Sequence, residues 1–243
     1  MARQRHMFAQ ATETVTGKLP VGTILKPPNP AFADVQDFLR SEAAPQTPYP
    51  ICIKNSSIDA PHILFNTEQL TRRDLLNNVR KNFHLGVFRN EHIVEIWDYS
   101  TRNIDILNHY GVQNCRHVPF TLWPAYAARL LSYNPARQYP HDVAFCGWLS
   151  PRRKKVVDEL QGHGVRVDVI DGTYGEARDI RIAKCRILLN VHFDDDYMIF
   201  EKLRCFPWIA TGKTVVSEHS LDNDPDCLNV RYGDLADTVL ALL

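Results

Sequence analysis

Polar side chains interrupt one long apolar segment, residues 187–218, where a plain core element would carry none. The first two lie at the end of an apolar strand. The next two are three residues apart on the helix that follows, so they share one face of it. The last two end the next short strand. Open α/β sheets bind ligands outside the carboxyl ends of their strands, so we expect these side chains to meet a ligand. A glutamate there can accept hydrogen bonds from ribose or sugar hydroxyls, and an arginine can pair with a diphosphate through parallel bonds. These residues are Asn190, His192, Glu201, Arg204, Ser217 and Glu218.

Each of these residues also has a purely structural interpretation. Glu201 and Arg204 can form an ion pair on a helix surface, which would stabilise the helix by only about 0.2–0.5 kcal/mol. The helix is apolar on nearly every side, however, which favours burial, and buried charges need partners. His192 taken alone also fits a hydrogen-bonded histidine of the core. Pro207 is expected to break the helix.

A second candidate site lies where the apolar strand at residues 142–147 runs into a helix. The glycine at the end of the strand lets the backbone approach a ligand, and Ser150 followed by proline is a typical helix start. The free N–H groups and the dipole of such a start favour a phosphate. Arginines in the first turn interact unfavourably with that dipole, and a bound anion would offset this cost. The alternative interpretation is a loop whose arginines are simply solvated and bind no ligand. The candidate residues here are Gly147, Trp148, Arg152 and Arg153.

Acidic residues form two further candidate groups. Glu68 and Asp98 follow strands in the first half of the chain, where either carboxylate could act as a base toward a bound acceptor, although capping explains their polar neighbours equally well. The run Asp194–Asp196 could hold Mg²⁺ or Mn²⁺ on a diphosphate. Consecutive aspartates are more typical of a solvated helix N-terminus, whose dipole they suit, so we predict no metal site.

Composition excludes several classes of protein. The chain has 243 residues, 44% of them apolar, and 28 basic against 28 acidic side chains, so it is globular and has no net field that would attract nucleic acid. Its six cysteines lack metal-ligand spacing and are expected to be reduced, buried thiols. The N-terminus has no signal-peptide core and no run is long enough to span a bilayer, so we expect a cytoplasmic protein without a transmembrane segment.

Alternating strand and helix patterns predict an α/β protein with two Rossmann-like parallel-sheet domains, the first of them short. Residues 1–125 form the first predicted domain, which begins with a polar tail at 1–20, residues 126–140 are the linker, and residues 141–243 form the second domain. Strands of the first domain are predicted near residues 22–26, 51–55, 62–66, 92–100 and 115–120. Its helices are predicted at 31–42, over a stretch with apolar positions 70, 75, 76, 79 and 83, and at 101–111.

Several sequence motifs together resemble a divergent branch of the GT-B-fold glycosyltransferases, the CgeB-like "glycosyl transferases group 1" set of bacteria and large viruses. The similarity runs from about residue 60 to the end of the chain, and its specificity lies in the order and spacing of the motifs. The motifs are FNTEQL, WDYSTRN, VPF, FCGWLSPRRKKVVDEL, ILLNVHFDDD and FEKLRC followed by TGKTVVSE. The resemblance implies a nucleotide-sugar donor held mainly by the second domain, a glycan or glycoconjugate acceptor facing the first, and no metal or other cofactor.

The resemblance also implies roles for the candidate residues. The N–H groups after Gly147, with Arg152, Arg153 or Arg204, would stabilise the diphosphate of a UDP- or GDP-linked sugar, and Glu201 would orient its ribose or sugar. An inverting reaction would need Glu68 or Asp98 as base, whereas a retaining one needs no separate base. The alternatives are a metal-dependent transferase that uses Asp194 and Asp196, and a non-catalytic nucleotide-sugar-binding module.

The sequence departs from the family pattern at two places. Pro207 stands where the common pattern has a glutamate, so Glu201 is only its approximate equivalent. The first domain is short and lacks a recognisable glycine-rich loop after its first strand, which is consistent with this chain being one piece of a larger polypeptide or complex.

Overall fold

The computed structural model describes residues 19–26, 33–43, 47–53, 58–71, 88–119 and 124–243. These residues form two sheets of five parallel strands, with helices packed against them. The predicted α/β class with two Rossmann-like parallel sheets is therefore confirmed. No helix among the described ranges combines the length and the hydrophobicity needed to cross a membrane.

The first sheet has its strands in chain order, and they are β1 (Ile24–Leu25), β2 (Ile51–Ile53), β3 (His62–Asn66), β4 (Ile93–Asp98) and β5 (Cys115–His117). Its described helices are α1 (Ala33–Phe38), which continues as a π-helical turn over Leu39–Ala43, and α2 (Thr101–His109). β2 and β3 are buried along their whole length, as parallel strands covered on both faces are. The predicted helix with apolar positions up to residue 83 lies outside the described residues from 72 onward, and so does the tail up to residue 18.

The second sheet has the spatial order β10-β9-β8-β6-β7. Its strands are β6 (His141–Cys146), β7 (Val167–Ile170), β8 (Cys185–Asn190), β9 (Thr214–Glu218) and β10 (Leu228–Val230). Its helices are α3 (Pro124–Ser132), α4 (Pro151–Gly162), α5 (Gly175–Ala183), α6 (Lys202–Ile209) and α7 (Leu235–Leu242). Side chains of α3, α5 and α6 pack on one face of the sheet, and side chains of α4 and α7 pack on the other.

The strand order of the second sheet reverses between β6 and β8. From β6 the chain first adds β7 on one side and then adds β8, β9 and β10 on the other. At such a switch point the connections leave on opposite faces, so a crevice opens at the carboxyl ends of the two central strands. Gly147 follows β6 and Asn190 ends β8, which places both residues at this crevice.

Helix α4 begins where the sequence predicts. Ser150 has extended backbone angles and its hydroxyl accepts a hydrogen bond from the backbone N–H of Arg153 at 3.3 Å. Pro151 occupies the first helical position, where its missing N–H would have had no partner in the helix. This cap fixes the direction in which the first turn of α4 leaves the switch point.

Two predictions for the segment after β8 are wrong. Helix α6 runs from Lys202 to Ile209 and continues through Pro207. Pro207 is late enough in this short helix to forfeit a single backbone hydrogen bond, and the burial of Cys205 and Trp208 holds the helix together. The run Asp194–Asp196 lies in a loop and does not start a helix.

The loop before α6 is not helical, because some of its backbone donors bond to other parts of the chain. Ile199 donates its N–H to the side chain of Gln69 at 3.1 Å, and Phe200 donates to Asp222 at 2.7 Å. Both residues are 0% exposed, so these bonds replace helical ones in a buried place.

Candidate functional site

Gly147 is at the centre of the crevice at the switch point. Its φ of +125° is a conformation that side-chain-bearing residues rarely adopt, so a glycine is required here. A Cβ atom at this position would lie 3.5 Å from Nη1 of Arg153 and 3.5 Å from Nη2 of Arg204. The backbone of Gly147 is therefore flanked by two guanidinium groups, which could bind an anion.

Arg153 is a buried cation without a carboxylate partner. It is only 4% exposed, and its guanidinium donates to the backbone carbonyls of Val191 at 2.9 Å and Trp148 at 3.1 Å. No ion pair of Arg153 occurs within the part of the chain that the structure describes. Burial, together with the charge of Arg204, lowers the pKa of Arg153 to about 10. A bound anion would stabilise this charge, which no ion pair within the described residues neutralises.

Arg204 enters the same crevice from helix α6. Its guanidinium donates to Oδ1 of Asn190 at 3.3 Å and lies 3.7 Å from Oε2 of Glu201. Asn190 in turn donates to the hydroxyl of Ser217 at 3.0 Å across β8 and β9. The structure thus brings together Asn190, Glu201, Arg204 and Ser217 as the sequence predicts, and Glu201 stands immediately before the first residue of α6.

Arg152 and Glu218 form a pair of their own. The guanidinium of Arg152 donates to both carboxylate oxygens of Glu218, donates to Asp195 at 3.0 Å, and lies 3.7 Å above the ring of Tyr232. The same carboxylate accepts the backbone N–H of His192 at 2.9 Å. Arg152 and Glu218, both predicted to contact a donor, therefore neutralise each other. Arg153 and Arg204 are left as the cations that face Gly147.

His192 is a core histidine with one unused nitrogen. It is 4% exposed, and its Nε2 lies 3.2 Å from the carbonyl of His219 and 3.1 Å from the hydroxyl of Ser220. Its Nδ1 has no hydrogen-bond partner among the described residues. Burial lowers the pKa of His192, so the ring is neutral at physiological pH.

Aromatic rings border the crevice beside Gly147. Trp148 is 50% exposed and stacks on Phe193, with 5.5 Å between the ring centroids. Phe193 also contacts Tyr197, at a centroid distance of 5.3 Å. A large, half-exposed ring supported from behind is a suitable surface for a planar group of a ligand.

Asp98 is fully buried at the end of β4. Its carboxylate accepts hydrogen bonds from Asn66 at 2.6 Å, Asn103 at 3.1 Å and the backbone N–H of Ser100 at 2.8 Å. Burial raises its pKa to about 7 in spite of these donors. Because Asp98 is 0% exposed, it does not reach the crevice, and it organises the strand ends instead.

Glu68 follows β3 and is half-buried. Its backbone carbonyl accepts bonds from the side chains of Asn66 and Asn103, so the loop that carries it is well defined. Of the two carboxylates proposed as bases, Glu68 is the one that solvent or an acceptor can reach.

Gln69 and Asp222 lie beside the candidate site but are not among the site residues predicted from the sequence. Gln69 is 4% exposed, donates to Oε1 of Glu201 at 2.9 Å and accepts from Ile199. Asp222 accepts from the hydroxyl of Ser100 at 2.9 Å and from Phe200. Both residues join the loops of the first sheet to the segment before α6. Gln69 could have been suspected from its place just after β3, but Asp222 carries no signal in its local sequence.

The acidic run gives no evidence of a metal centre. Asp194 accepts the backbone N–H of Asp196 at 2.9 Å, and Asp195 pairs with Arg152. Among the described residues, no group of three or more His, Cys, Asp or Glu side chains is placed to hold a metal ion. All six cysteines are free, and five of them are buried, as predicted.

No family model matches the chain. The chain is 35% identical over 174 residues to an uncharacterized protein of Acanthamoeba polyphaga mimivirus, L140, an alignment that covers 70% of this chain and 52% of that protein. Two further uncharacterized proteins of the same virus, L138 and L137, are 34% identical over 164 residues and 32% identical over 160 residues. These alignments cover 64% and 65% of this chain, but 16% and 20% of the two proteins.

The chain thus spans about half, or less, of the length of these curated relatives. Among solved structures, a crystal structure of a GsuK mutant aligns with 98% of this chain and 72% of its own, at 12% identity and a TM-score of 0.28, which is too low to bear on fold or function.

Proposed function

We propose that this chain is a GT-B-type glycosyltransferase, or the transferase part of a longer protein, that moves a hexose or pentose from a nucleotide-diphosphate sugar to a hydroxyl of a glycan-type acceptor. The observation that carries the proposal is a pair of guanidinium groups beside the glycine at the switch point of the second sheet, that of Arg153, which is buried, and that of Arg204, which is half-buried. A diphosphate is a compact anion that two neighbouring guanidinium groups can bind through charge-assisted hydrogen bonds.

In this proposal the donor lies across the carboxyl ends of β6 and β8. The diphosphate would occupy the space beside Gly147, where Arg153 supplies a charge that forms no ion pair with a carboxylate of the described residues. Trp148 would stack on the nucleobase, and Glu201 would accept hydrogen bonds from ribose or sugar hydroxyls. As the glycosidic bond breaks, negative charge grows on the leaving diphosphate, so the two arginines would stabilise the transition state more than the ground state.

The acceptor would enter from the first sheet. The loop after β3 contacts the loop before α6 through the bond from Gln69 to Glu201, so the acceptor side and the donor side meet near Glu201. For an inverting reaction, Glu68 is the preferred base because Asp98 is inaccessible. A retaining reaction would dispense with a base, and then Glu68→Gln would retain activity.

A non-catalytic nucleotide-sugar-binding module is the second candidate. It is favoured by the complete burial of Asp98, which removes one of the two carboxylates that could have served as base. Such a module would share the anion site and differ only in lacking turnover.

Calorimetric titration with UDP-, GDP- and dTDP-sugars, followed by an assay for hydrolysis or transfer, separates these possibilities. We expect one nucleotide sugar to bind wild-type protein and Arg204→Met to bind it at least about tenfold more weakly, because a charge-assisted bond contributes roughly 1.5–3 kcal/mol. Arg166→Met is the matched control, because Arg166 pairs with Asp142 on the protein surface.

Binding with turnover that survives EDTA supports the metal-independent transferase, and turnover abolished by EDTA would move the assignment to Asp194 and Asp196. Binding without turnover supports the module. Absence of binding to every nucleotide sugar would refute both candidate functions.

A further inference from the structure

A second cavity lies at the amino edge of the second sheet, opposite to the switch point. It has a volume of about 460 Å³ and is bordered by the starts of β8 and β9, by helix α6 and by the turn after α3. This volume is within the range of roughly 300–1,000 Å³ that small-molecule sites occupy. Because the strands are parallel, a ligand here would be separated from Gly147 by the length of the sheet.

Three basic side chains border this cavity, and no acidic residue does. They are Arg137, Arg186 and Lys213. None of them has an ion-pair partner within the described ranges of the chain. Asp142, which feels the charge of Arg186, is already held by Arg166 at 2.6 Å. The cavity is therefore a concentration of positive charge that the protein itself does not neutralise.

Lys213 is the most constrained of the three. Its ammonium group donates to the carbonyl of Cys185 and lies 5.7 Å from the ring centre of Tyr139 and 5.5 Å from that of Trp208. Burial lowers its pKa to about 8, the sign of a cation that lacks solvent and a counter-charge. An ammonium has three donors, and the bond to Cys185 uses one of them, so donors remain for a ligand.

Arg137 is held in a strained conformation at the mouth of the cavity. Its φ of +49° makes it the one non-glycine residue with positive φ among the described ranges. The turn is fixed by Asn134, whose side chain accepts from the backbone N–H of Gln138 at 3.0 Å and donates to the carbonyl of Ala183 at 3.0 Å. A left-handed arginine costs roughly 1–2 kcal/mol, and such strain persists where the surroundings enforce it, often at ligand sites.

We propose that this cavity binds the phosphate group of a small phosphorylated molecule, with Lys213 as the central ligand and Arg137 and Arg186 as flanking cations. The site is separate from the proposed donor site and does not depend on it. A backbone carbonyl and two aromatic rings fix the position of the Lys213 ammonium group, so its remaining N–H groups can donate to a phosphate oxygen in the cavity. The arginines add a second and a third positive charge, which a dianionic phosphate can use and a single carboxylate cannot use as fully.

The test is a titration of the deuterated, ¹⁵N-labelled protein with inorganic phosphate, followed by the amide resonances of residues 211–214. We expect these resonances to shift and saturate. In Lys213→Met the dissociation constant from these shifts should rise at least about tenfold, whereas Lys213→Arg, which keeps the charge, should stay within about threefold of wild type. Lys154→Met is the matched control, because Lys154 is an exposed lysine that pairs with Asp158 on α4, and it should change nothing.

Three results would overturn the proposal. They are an absence of saturating shifts at 211–214, equal shifts in Lys213→Met, and equally tight binding of acetate. Phosphate-dependent shifts confined to Gly147 and its neighbours would also overturn it while leaving the proposed donor site intact. If Lys213→Met does not fold, Arg137→Gly serves instead, since glycine keeps the left-handed turn and removes one cation; unchanged phosphate affinity in that variant would count against the site.

Discussion

Replacement of Arg153 by methionine is the sharpest test of the anion site. Methionine keeps an unbranched apolar chain as far as the position of Nε, so the packing of the aliphatic stem is retained. The guanidinium group, whose carbon lies 5.6 and 5.4 Å from the rings of Phe145 and Phe193, is lost together with its positive charge beside Gly147. The variant therefore removes the charged group and leaves the stem in place.

The expected loss of affinity follows from the geometry. Arg153 uses one N–H of Nε and one of Nη1 for the carbonyls of Val191 and Trp148, so three N–H groups, one on Nη1 and two on Nη2, remain for a diphosphate. One such bond contributes roughly 1.5–3 kcal/mol, which corresponds to a loss of about 10- to 150-fold in affinity. The measurement is a calorimetric titration with the nucleotide sugar that binds wild-type protein.

The stability of the same variant should change less than its affinity. The two carbonyls lose their donor, which costs about 1–3 kcal/mol each when they stay buried, but the desolvation of an unpaired cation and its repulsion from Arg204 are relieved at the same time. Urea unfolding should therefore show a net change of no more than about 2 kcal/mol.

The result that would refute this reasoning is a folded Arg153→Met protein that binds the nucleotide sugar within about twofold of wild type. Arg153 would then be a structural cation for two carbonyls, and the diphosphate would have to lie elsewhere. Arg166→Met, which removes an exposed arginine, is the control that should leave affinity unchanged.

Four other substitutions, at three positions, test the framework around the site. Gly147→Ala should lower the free energy of unfolding by about 1–3 kcal/mol, because a φ of +125° strains any residue that carries a side chain; urea unfolding measures this. Gln69→Leu should cost about 1–3 kcal/mol in the same assay by leaving Oε1 of Glu201 and the N–H of Ile199 without a hydrogen-bond partner, and Gln69→Glu should cost more because two carboxylates would meet. Burial raises the pKa of Asp98 to about 7, above its unfolded value near 4, so the folded state binds the extra proton and wild-type stability should fall by up to about 4 kcal/mol as pH rises from about 4 to 7. Asp98→Asn should remove that part of the pH dependence, and equal pH profiles for the two proteins would contradict the assignment.

The strands of both sheets were predictable because their signals are local. A run such as residues 142–147 is apolar without interruption and ends at a glycine, which is typical of a parallel strand buried on both faces. The order in which strands pair depends on contacts between distant segments. The switch point between β6 and β8, which gives Gly147 its importance, is therefore visible only in the structure.

The candidate site was predictable in its members but not in their partners. Arg152 and Arg153 are equivalent in the sequence, yet one is neutralised by Glu218 from β9 and the other is left without a carboxylate. The wrong prediction of a helix start at Asp194–Asp196 has a similar cause. The N–H groups of Ile199 and Phe200, which a helix would have used, donate instead to side chains elsewhere in the chain. Their acceptors are Gln69, about 130 residues earlier, and Asp222, about 22 residues later.

Under the proposed function, the bond between Gln69 and Glu201 would make donor binding and the approach of the two sheets thermodynamically dependent on each other. If a donor engages Glu201 in the orientation that Gln69 holds, then bringing the sheets together raises donor affinity, and the donor stabilises their contact by the same factor. A donor bound to the second sheet would thereby stabilise the position of the loop after β3, which the first sheet presents to the acceptor. Ordered binding, with the nucleotide sugar before the acceptor, is the kinetic behaviour that this reciprocity favours.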